Sequence, residues 1–358
     1  MIKRVLLSAI LAGALATSAQ AWTAWDTFKH EQYEAGRVID FNDDRLITTS
    51  EGQSYSLFFA LVAGDKAAFE SLLTWTETHL SKGNLTKTLP AWLWGSQPQP
   101  GVIDSNNAVD SDMWIAYCLL EAARLWNRPD YHQKAMALLD LLKTQVREIP
   151  SIGKVLLPGQ FGFDKEDSVM LNTSYYPLFL LRRFAVEDAY WNPVFDGCLR
   201  ATLRSAPNGF APDWVIFAKD GSIASSTDPV GSYNAIRVYL WAGMMAKSDP
   251  VRARLKAHFA PMIRLTESMN VPAEKVDVIG ARANGPGSLG FAACLLPLMD
   301  DNRQAALIRT YLNASPIVKE NYYRNVLTLF GMGFDQREFA FDRNGFVYFP
   351  KSMKKEGR

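Results

Sequence analysis

The sequence predicts an all-α protein assembled from stacked pairs of helices, arranged as an array or a closed ring. Three observations carry this. Apolar residues recur at helical spacing through most of the chain, and strand-like alternation is rare. Six helix openings are rich in small polar and aromatic residues, and the first five return at intervals of roughly 60 residues, about the length of two helices with their loops. Stacking such pairs buries a core that one pair could not bury alone. Identity between the units is poor, so the repeat is one of architecture.

The elements follow in chain order. Lys3 and Arg4 precede an apolar run over 5–16, and Ser-Ala-Gln-Ala at 18–21 has the small-residue spacing of a cleavage site. That run is too short to span a bilayer. It reads as an export signal cleaved near Ala21, which leaves a chain starting at Trp22 and, in a bacterium with two membranes, a periplasmic or secreted protein without membrane insertion. Residues 22–358 contain no Gly/Pro/Ser-rich linker and read as one domain.

Within it, the apolar run 57–61 continues, after a break at 63–65, into Phe69, Leu72, Leu73 and Trp75. Ile115, Ala116, Leu119, Leu120 and Ala123 keep helical spacing, as do Leu138, Leu139, Leu141 and Leu142. Further runs lie at 178–184, 238–245, 291–298 and 326–330. The recurring openings are at 49–51, 109–112, 172–175, 231–234, 285–288 and 321–323. At the first, Ser50 and Gln53 match a capping box with Ser50 as N-cap. Residues 339–341 and 346–348 flank Asn344-Gly345, a hairpin turn signal. The basic tail after Pro350 is expected to fray.

Composition narrows the function. Of 358 residues, 38 are basic and 37 acidic, a formal charge of +1 that argues against a nucleic-acid partner. Loss of Lys3 and Arg4 with the signal turns that into −1. The 4 His show no HExxH spacing, and the 3 Cys form no CxxC pair and read as buried apolar residues. No metal or organic cofactor is implied. The aromatic load is high, with 10 Trp, 13 Tyr and 20 Phe. Most of these should be core, and some are candidate stacking platforms.

Glu51, Asp110 and Asp112 sit in first helical turns, where a carboxylate also simply favours the helix dipole. Recurrence supports a functional reading. If the openings converge at one end of a ring, Glu51, Asp110, Tyr175, Tyr233 and Arg237 share a cleft. Separated carboxylates between aromatic walls suit glycosidic hydrolysis, in which one carboxylic acid protonates the leaving oxygen and a second group activates water.

Asn-Ala-Val-Asp-Ser-Asp-Met-Trp-Ile-Ala at 107–116, running on to Ala122 and Trp126, resembles the signature segment of glycoside hydrolase family 8. Thr-Thr-Ser-Glu-Gly-Gln-Ser-Tyr at 48–55 resembles that family's general-acid motif. The segments 89–95, 209–214, 233–237 and 323–331 extend the match in order, toward the endo-1,4-β-glucanases encoded with bacterial cellulose synthase. The resemblance implies an (α/α)6 barrel of six inner and six outer helices, with the small hairpin near its C-terminus. It also implies endo-acting, inverting hydrolysis of β-1,4-glucan.

On this resemblance Glu51 matches the general acid, and Asp110 the aspartate that holds the sugar on the non-reducing side of the cut. Tyr175, Tyr233 and Arg237 match residues around the catalytic water. Asp112, Trp92 and Trp94 are further candidates for substrate binding, although Trp92 fits a core position equally well. Position 234 departs from the pattern. The branch places its general base there as Asp, and this chain has Asn234. Three explanations compete: a substitution made to trap a substrate complex, a natural inactive or slow form, or another carboxylate in service, with Asp213 and Asp228 as candidates. Alternative functions are a non-catalytic glucan-binding protein, or a family member acting on xylan or chitosan. The expected partners are a cello-oligosaccharide chain and, functionally, the cellulose synthase complex; the expected state is a monomer.

Overall fold

The computed structural model describes residues 22–225 and 227–351. The expected export signal at 1–21 and the tail from 352 onward lie outside the described residues. Thirteen α-helices occur among those described: α1 (Thr23–Gln32), α2 (Ser50–Ala63), α3 (Lys66–Leu80), α4 (Val109–Trp126), α5 (Pro129–Lys143), α6 (Leu178–Glu187), α7 (Trp191–Ser205), α8 (Ile236–Met244), α9 (Pro250–His258), α10 (Ala260–Met269), α11 (Leu289–Leu295), α12 (Arg303–Ala314) and α13 (Tyr322–Asp335).

Helices α2, α4, α6, α8, α11 and α13 each pack against the next, and α13 returns against α2 to close a ring. Outside it, α3 lies on α2, α5 on α4, α7 on α6, α9 on α8, and α12 on α11, while α1 covers α13 and α2. Helix α10 follows α9 after a break at Phe259, so one outer position is filled in two pieces. This is the (α/α)6 barrel.

Sequence explains which helices go inside. Helix α2 is buried on every side from Gly52 to Leu61, and α4 from Val109 to Ala122. A helix that is apolar all round has no face to offer water. In contrast, α5 buries only Tyr131, Ala135, Leu138, Leu139 and Leu142, a single stripe. Rings fill the middle of the barrel. Phe330 lies against Tyr55 at 4.9 Å and against Trp114 and Trp241, each at 5.2 Å, and Phe179 stacks on Phe341 at 4.2 Å.

The C-terminal hairpin closes the end opposite the inner-helix starts. It pairs Ala340 with Tyr348 and Phe341 with Val347, and the intervening loop is organised by Asp342, which accepts from the amides of Asn344 and Phe346. Gly345 is required there: its φ is +83°, and a Cβ would meet the Phe179 carbonyl at 2.1 Å. Buried Glu121 locks the hairpin to the barrel. It pairs with Arg183 Nε at 2.7 Å and Arg124 Nη2 at 2.6 Å, and accepts from the Val347 amide at 3.0 Å.

Two expectations are corrected. The N-cap of α2 is Thr49, whose hydroxyl accepts from Gly52 N at 3.0 Å. Ser50 is the first helical residue, and Gln53 reaches away to Val38 N, Gly36 O and Thr76. β-Structure is also more frequent than alternation suggested, with six small antiparallel sheets among the described residues. Their strands are two to five residues long, too short for a period-2 pattern to register. Three of them border the site. Ile47–Thr49 runs directly into α2, Ser168–Leu171 precedes the 3₁₀ turn Thr173–Tyr175, and Val230–Gly231 precedes the turn into α8. No helix among the described residues is long and apolar enough to cross a membrane.

Candidate active site

Arg237, in the first turn of α8, is the hub. It is buried, and its Nη1 donates to Glu51 Oε2 at 2.5 Å, Tyr55 Oη at 2.9 Å and Asp110 Oδ2 at 3.2 Å. Its Nη2 donates to Asn234 Oδ1 at 3.0 Å and Ser174 Oγ at 3.4 Å. One guanidinium thus joins the openings of α2, α4 and α8 and the 3₁₀ turn before α6. Helix α13 adds Tyr322, whose hydroxyl donates to Glu51 Oε1 at 3.2 Å, and Tyr323, whose hydroxyl donates to the Tyr233 carbonyl. Helix α11 adds Phe291, edge-on to Tyr233 at 5.2 Å. All six inner helices therefore contribute from their N-terminal ends, where the helix dipole favours carboxylates.

The two carboxyls differ in setting. The Glu51 side chain keeps 21% of its exposure and Asp110 only 4%. Burial pushes the Asp110 carboxyl up from 3.8 to about 6; the Arg237 charge opposes this and the Glu51 charge adds to it. Burial wins because Nη1 is shared three ways and sits farther from Asp110 than from Glu51.

Position 234 is held firmly. Asp213 Oδ1 accepts from the amides of Ser232 at 2.8 Å, Asn234 at 3.0 Å and Ala235 at 2.7 Å, fixing the turn into α8. Because Arg237 can only donate, it draws the Asn234 carboxamide oxygen toward itself. Asn234 Nδ2 is left without a hydrogen-bond partner among the described residues. A water beside it meets a donor where a base would offer an acceptor. The shared guanidinium also bounds the separation of the Glu51 and Asn234 oxygens to at most about 8 Å, from the two contacts plus the width of the guanidinium.

Both candidate tyrosines border the hub. Tyr175 is half-buried, with its ring 5.5 Å from the Arg237 guanidinium and edge-on to Trp214. Tyr233 is half exposed, and its hydroxyl lies 3.4 Å from Glu274 Oε1. Trp92 is half-buried at the rim. Its amide donates to Asn106 O at 2.7 Å, and its carbonyl accepts from Ser50 N at 3.0 Å, next to Glu51.

Two candidates do not reach the site. Asp112 is fully buried and accepts from Asn107 Nδ2 at 2.6 Å; residues two apart on a helix face different ways, so Asp110 and Asp112 cannot both point at Arg237. Trp94 is buried between Trp75, edge-on at 5.3 Å, and the Arg37 guanidinium at 4.5 Å. Trp92 precedes the strand Leu93–Gly95, so strand alternation does not carry Trp94 to the face of Trp92. Asp228 is exposed and has no hydrogen-bond partner among the described residues.

The sequence reading did not single out Tyr55, Ser174 or Tyr322 as site residues. Tyr55 stands four residues after Glu51, on the same helix face, and that spacing was available. A cavity of about 920 Å³ lies at the hairpin end, lined by residues including Lys256, Asp300, Arg309 and Tyr348. Its ion pairs join Lys256 to Asp300 and Arg309 to Asp301 and Asp335, and none of the residues that meet at Arg237 lines it. Among the described residues no three His, Cys, Asp or Glu side chains gather as a metal would need.

Comparison with known proteins agrees with this fold. The family model described as "Glycosyl hydrolases family 8" matches residues 2–337. A protein named Endoglucanase from Escherichia coli (strain K12) is 43% identical over 342 residues, covering 94% of this chain and 93% of that protein. The crystal structure of an endo-1,4-D-glucanase from Vibrio fischeri ES114 superposes with a TM-score of 0.88 at 43% identity, covering 92% of this chain and 99% of that one. A cold-adapted family 8 xylanase, 15% identical with a TM-score of 0.68 over 91% of this chain and 90% of that one, shares the fold. The chain belongs to glycosyl hydrolase family 8.

Proposed function

We propose that this chain is an endo-1,4-β-glucanase scaffold, with Glu51 as general acid and position 234 as the site of the general base. The observation that carries this reading is the Arg237 hub, which holds Glu51, Asp110 and Asn234 within one guanidinium's reach. In the proposed reaction Glu51 gives its proton to the leaving glycosidic oxygen. A water attacks the anomeric carbon from the opposite face, and its proton passes to the group at 234. The separation, at most about 8 Å, is compatible with the roughly 6.5–9.5 Å of inverting carboxyl pairs, between which the attacking water stands. Asp110 holds the sugar preceding the cut, while Tyr175, Tyr233 and Trp92 flank the chain.

Asn234 interrupts the last step. A carboxamide takes no proton near neutral pH, and general-base assistance typically contributes about 10²–10⁴-fold. Binding survives the change, because Asn and Asp are nearly isosteric and Asp213 fixes the turn either way. The same observation supports a second reading, a glucan-binding protein that turns over slowly or not at all. The mature chain is proposed to be exported, periplasmic and monomeric, and to act on glucan chains released during cellulose synthesis.

Reducing-sugar release from carboxymethylcellulose, xylan and chitosan by the Asn234→Asp chain tests the substrate assignment. Carboxymethylcellulose should be cut fastest, and Glu51→Gln in that background should abolish release. Faster cutting of xylan or chitosan would overturn the glucan assignment, and undiminished release with Gln at 51 would remove Glu51 as the acid.

A further inference from the structure

Most aromatic rings of this chain are packed inside the barrel. Phe161 is the opposite case: at 65% exposure it is the most exposed large apolar side chain described. Its backbone, however, is held rigidly. Asn106 clamps it from both sides, accepting from Phe161 N at 3.2 Å through Oδ1 and donating through Nδ2 to Phe161 O at 3.0 Å. The neighbouring Gln160 amide donates to Asn107 Oδ1 at 2.8 Å. Gly159 presses so closely on this segment that a Cβ would meet Asn107 O at 2.5 Å.

The segment that clamps Phe161 also borders the site. Asn106 O accepts from the Trp92 amide, Trp92 O accepts from Ser50 N, and Asp110 follows a few residues on. On its other side the loop returns through Phe163, which stacks on Trp214 at 5.8 Å and 5°, and Trp214 meets Tyr175 beside Arg237. The rings of Tyr175, Trp214 and Phe163 therefore form a row beside the hub, and the exposed Phe161 stands two residues before Phe163 in the chain.

We propose that Phe161 is an outer stacking platform for a glucan chain, a subsite beyond the sugars that contact Glu51 and Asp110; this rests on the site assignment above. The apolar C–H face of a β-1,4-linked hexopyranose matches one exposed aromatic face. The ring's surroundings favour a sugar over a protein surface. Residues 164–167, Asp-Lys-Glu-Asp, are polar and exposed, and a lone ring among them falls short of the several hundred Å² of contiguous apolar patch that marks protein contacts. The clamp to 106–107 fixes the backbone that carries the ring, so stacking orders little beyond the side chain itself.

Calorimetric titration of the intact chain with cellotriose and cellohexaose tests this, using Phe161→Ala, Phe161→Trp and Tyr233→Ala. Phe161→Ala should lower the hexaose-to-triose affinity ratio about five- to tenfold, the usual size of one aromatic contact, and Phe161→Trp should restore it. Tyr233→Ala should weaken both ligands. If Phe161→Ala leaves the ratio unchanged while Tyr233→Ala weakens both, the platform is wrong and the site assignment stands. Should neither variant affect either ligand, both fall.

Discussion

Replacing Asp110 by Asn removes a carboxyl that the fold holds in an uncomfortable place. Burial raises its folded-state value from 3.8 to about 6, worth about 3 kcal/mol between its two protonation states. Because the folded value lies above the unfolded one, the stabilising contribution is complete below about 3.8. It fades as pH rises through about 6. Between about pH 4.5 and about pH 7.5 the parent chain should lose about 2 kcal/mol through this group, while Asp110→Asn should not. Arg237 keeps its Glu51 partner in the variant, so the hub persists. Urea unfolding of both proteins at the two pH values gives the comparison. The stability difference should move by about 2 kcal/mol in favour of Asn at the higher pH. An unchanged difference would refute the claim that burial outweighs Arg237 at this site.

Two further outcomes follow from the packing. Glu121→Ala leaves Arg183 and the Val347 amide without their shared partner and should cost about 3–5 kcal/mol in urea unfolding. Cello-oligosaccharide affinity should be unaffected, since Glu121 lies about 16 Å along α4 from Asp110; a fall in affinity would contradict the separation of the two ends. Asp213→Ala takes the shared acceptor from three amides and should destabilise the chain by about 1–3 kcal/mol while weakening oligosaccharide binding. Unchanged binding would show that the turn needs no such anchor.

Much of the architecture was legible because the inner helices advertise themselves. A polar opening followed by an apolar run marks α2 and α4 as buried, and such openings in series imply stacked pairs in an array or a ring. The small sheets were not legible, since strands as short as Val230–Gly231 carry no period. The first cap was misplaced by one residue because Thr49 and Ser50 both can cap, and Gln53 was drawn away by partners elsewhere in the fold. Asp112 could have been set aside from helical phase alone. Trp94 could not, because its burial against Trp75 and Arg37 comes from residues distant in sequence. The approach of Tyr322 to Glu51, 271 residues away in sequence, exists only once α13 closes on α2.

The central claim is that position 234 carries the proton-accepting function and that Asn234 withholds it. Steady-state hydrolysis of carboxymethylcellulose by the chain with Asn234 and by Asn234→Asp measures this directly, with intact mass confirming that Asn has not deamidated in the first protein. The account predicts a kcat at least about 10²-fold higher for Asn234→Asp, with little change in KM. Equal kcat values in two proteins of verified mass would contradict it and move the base to another group.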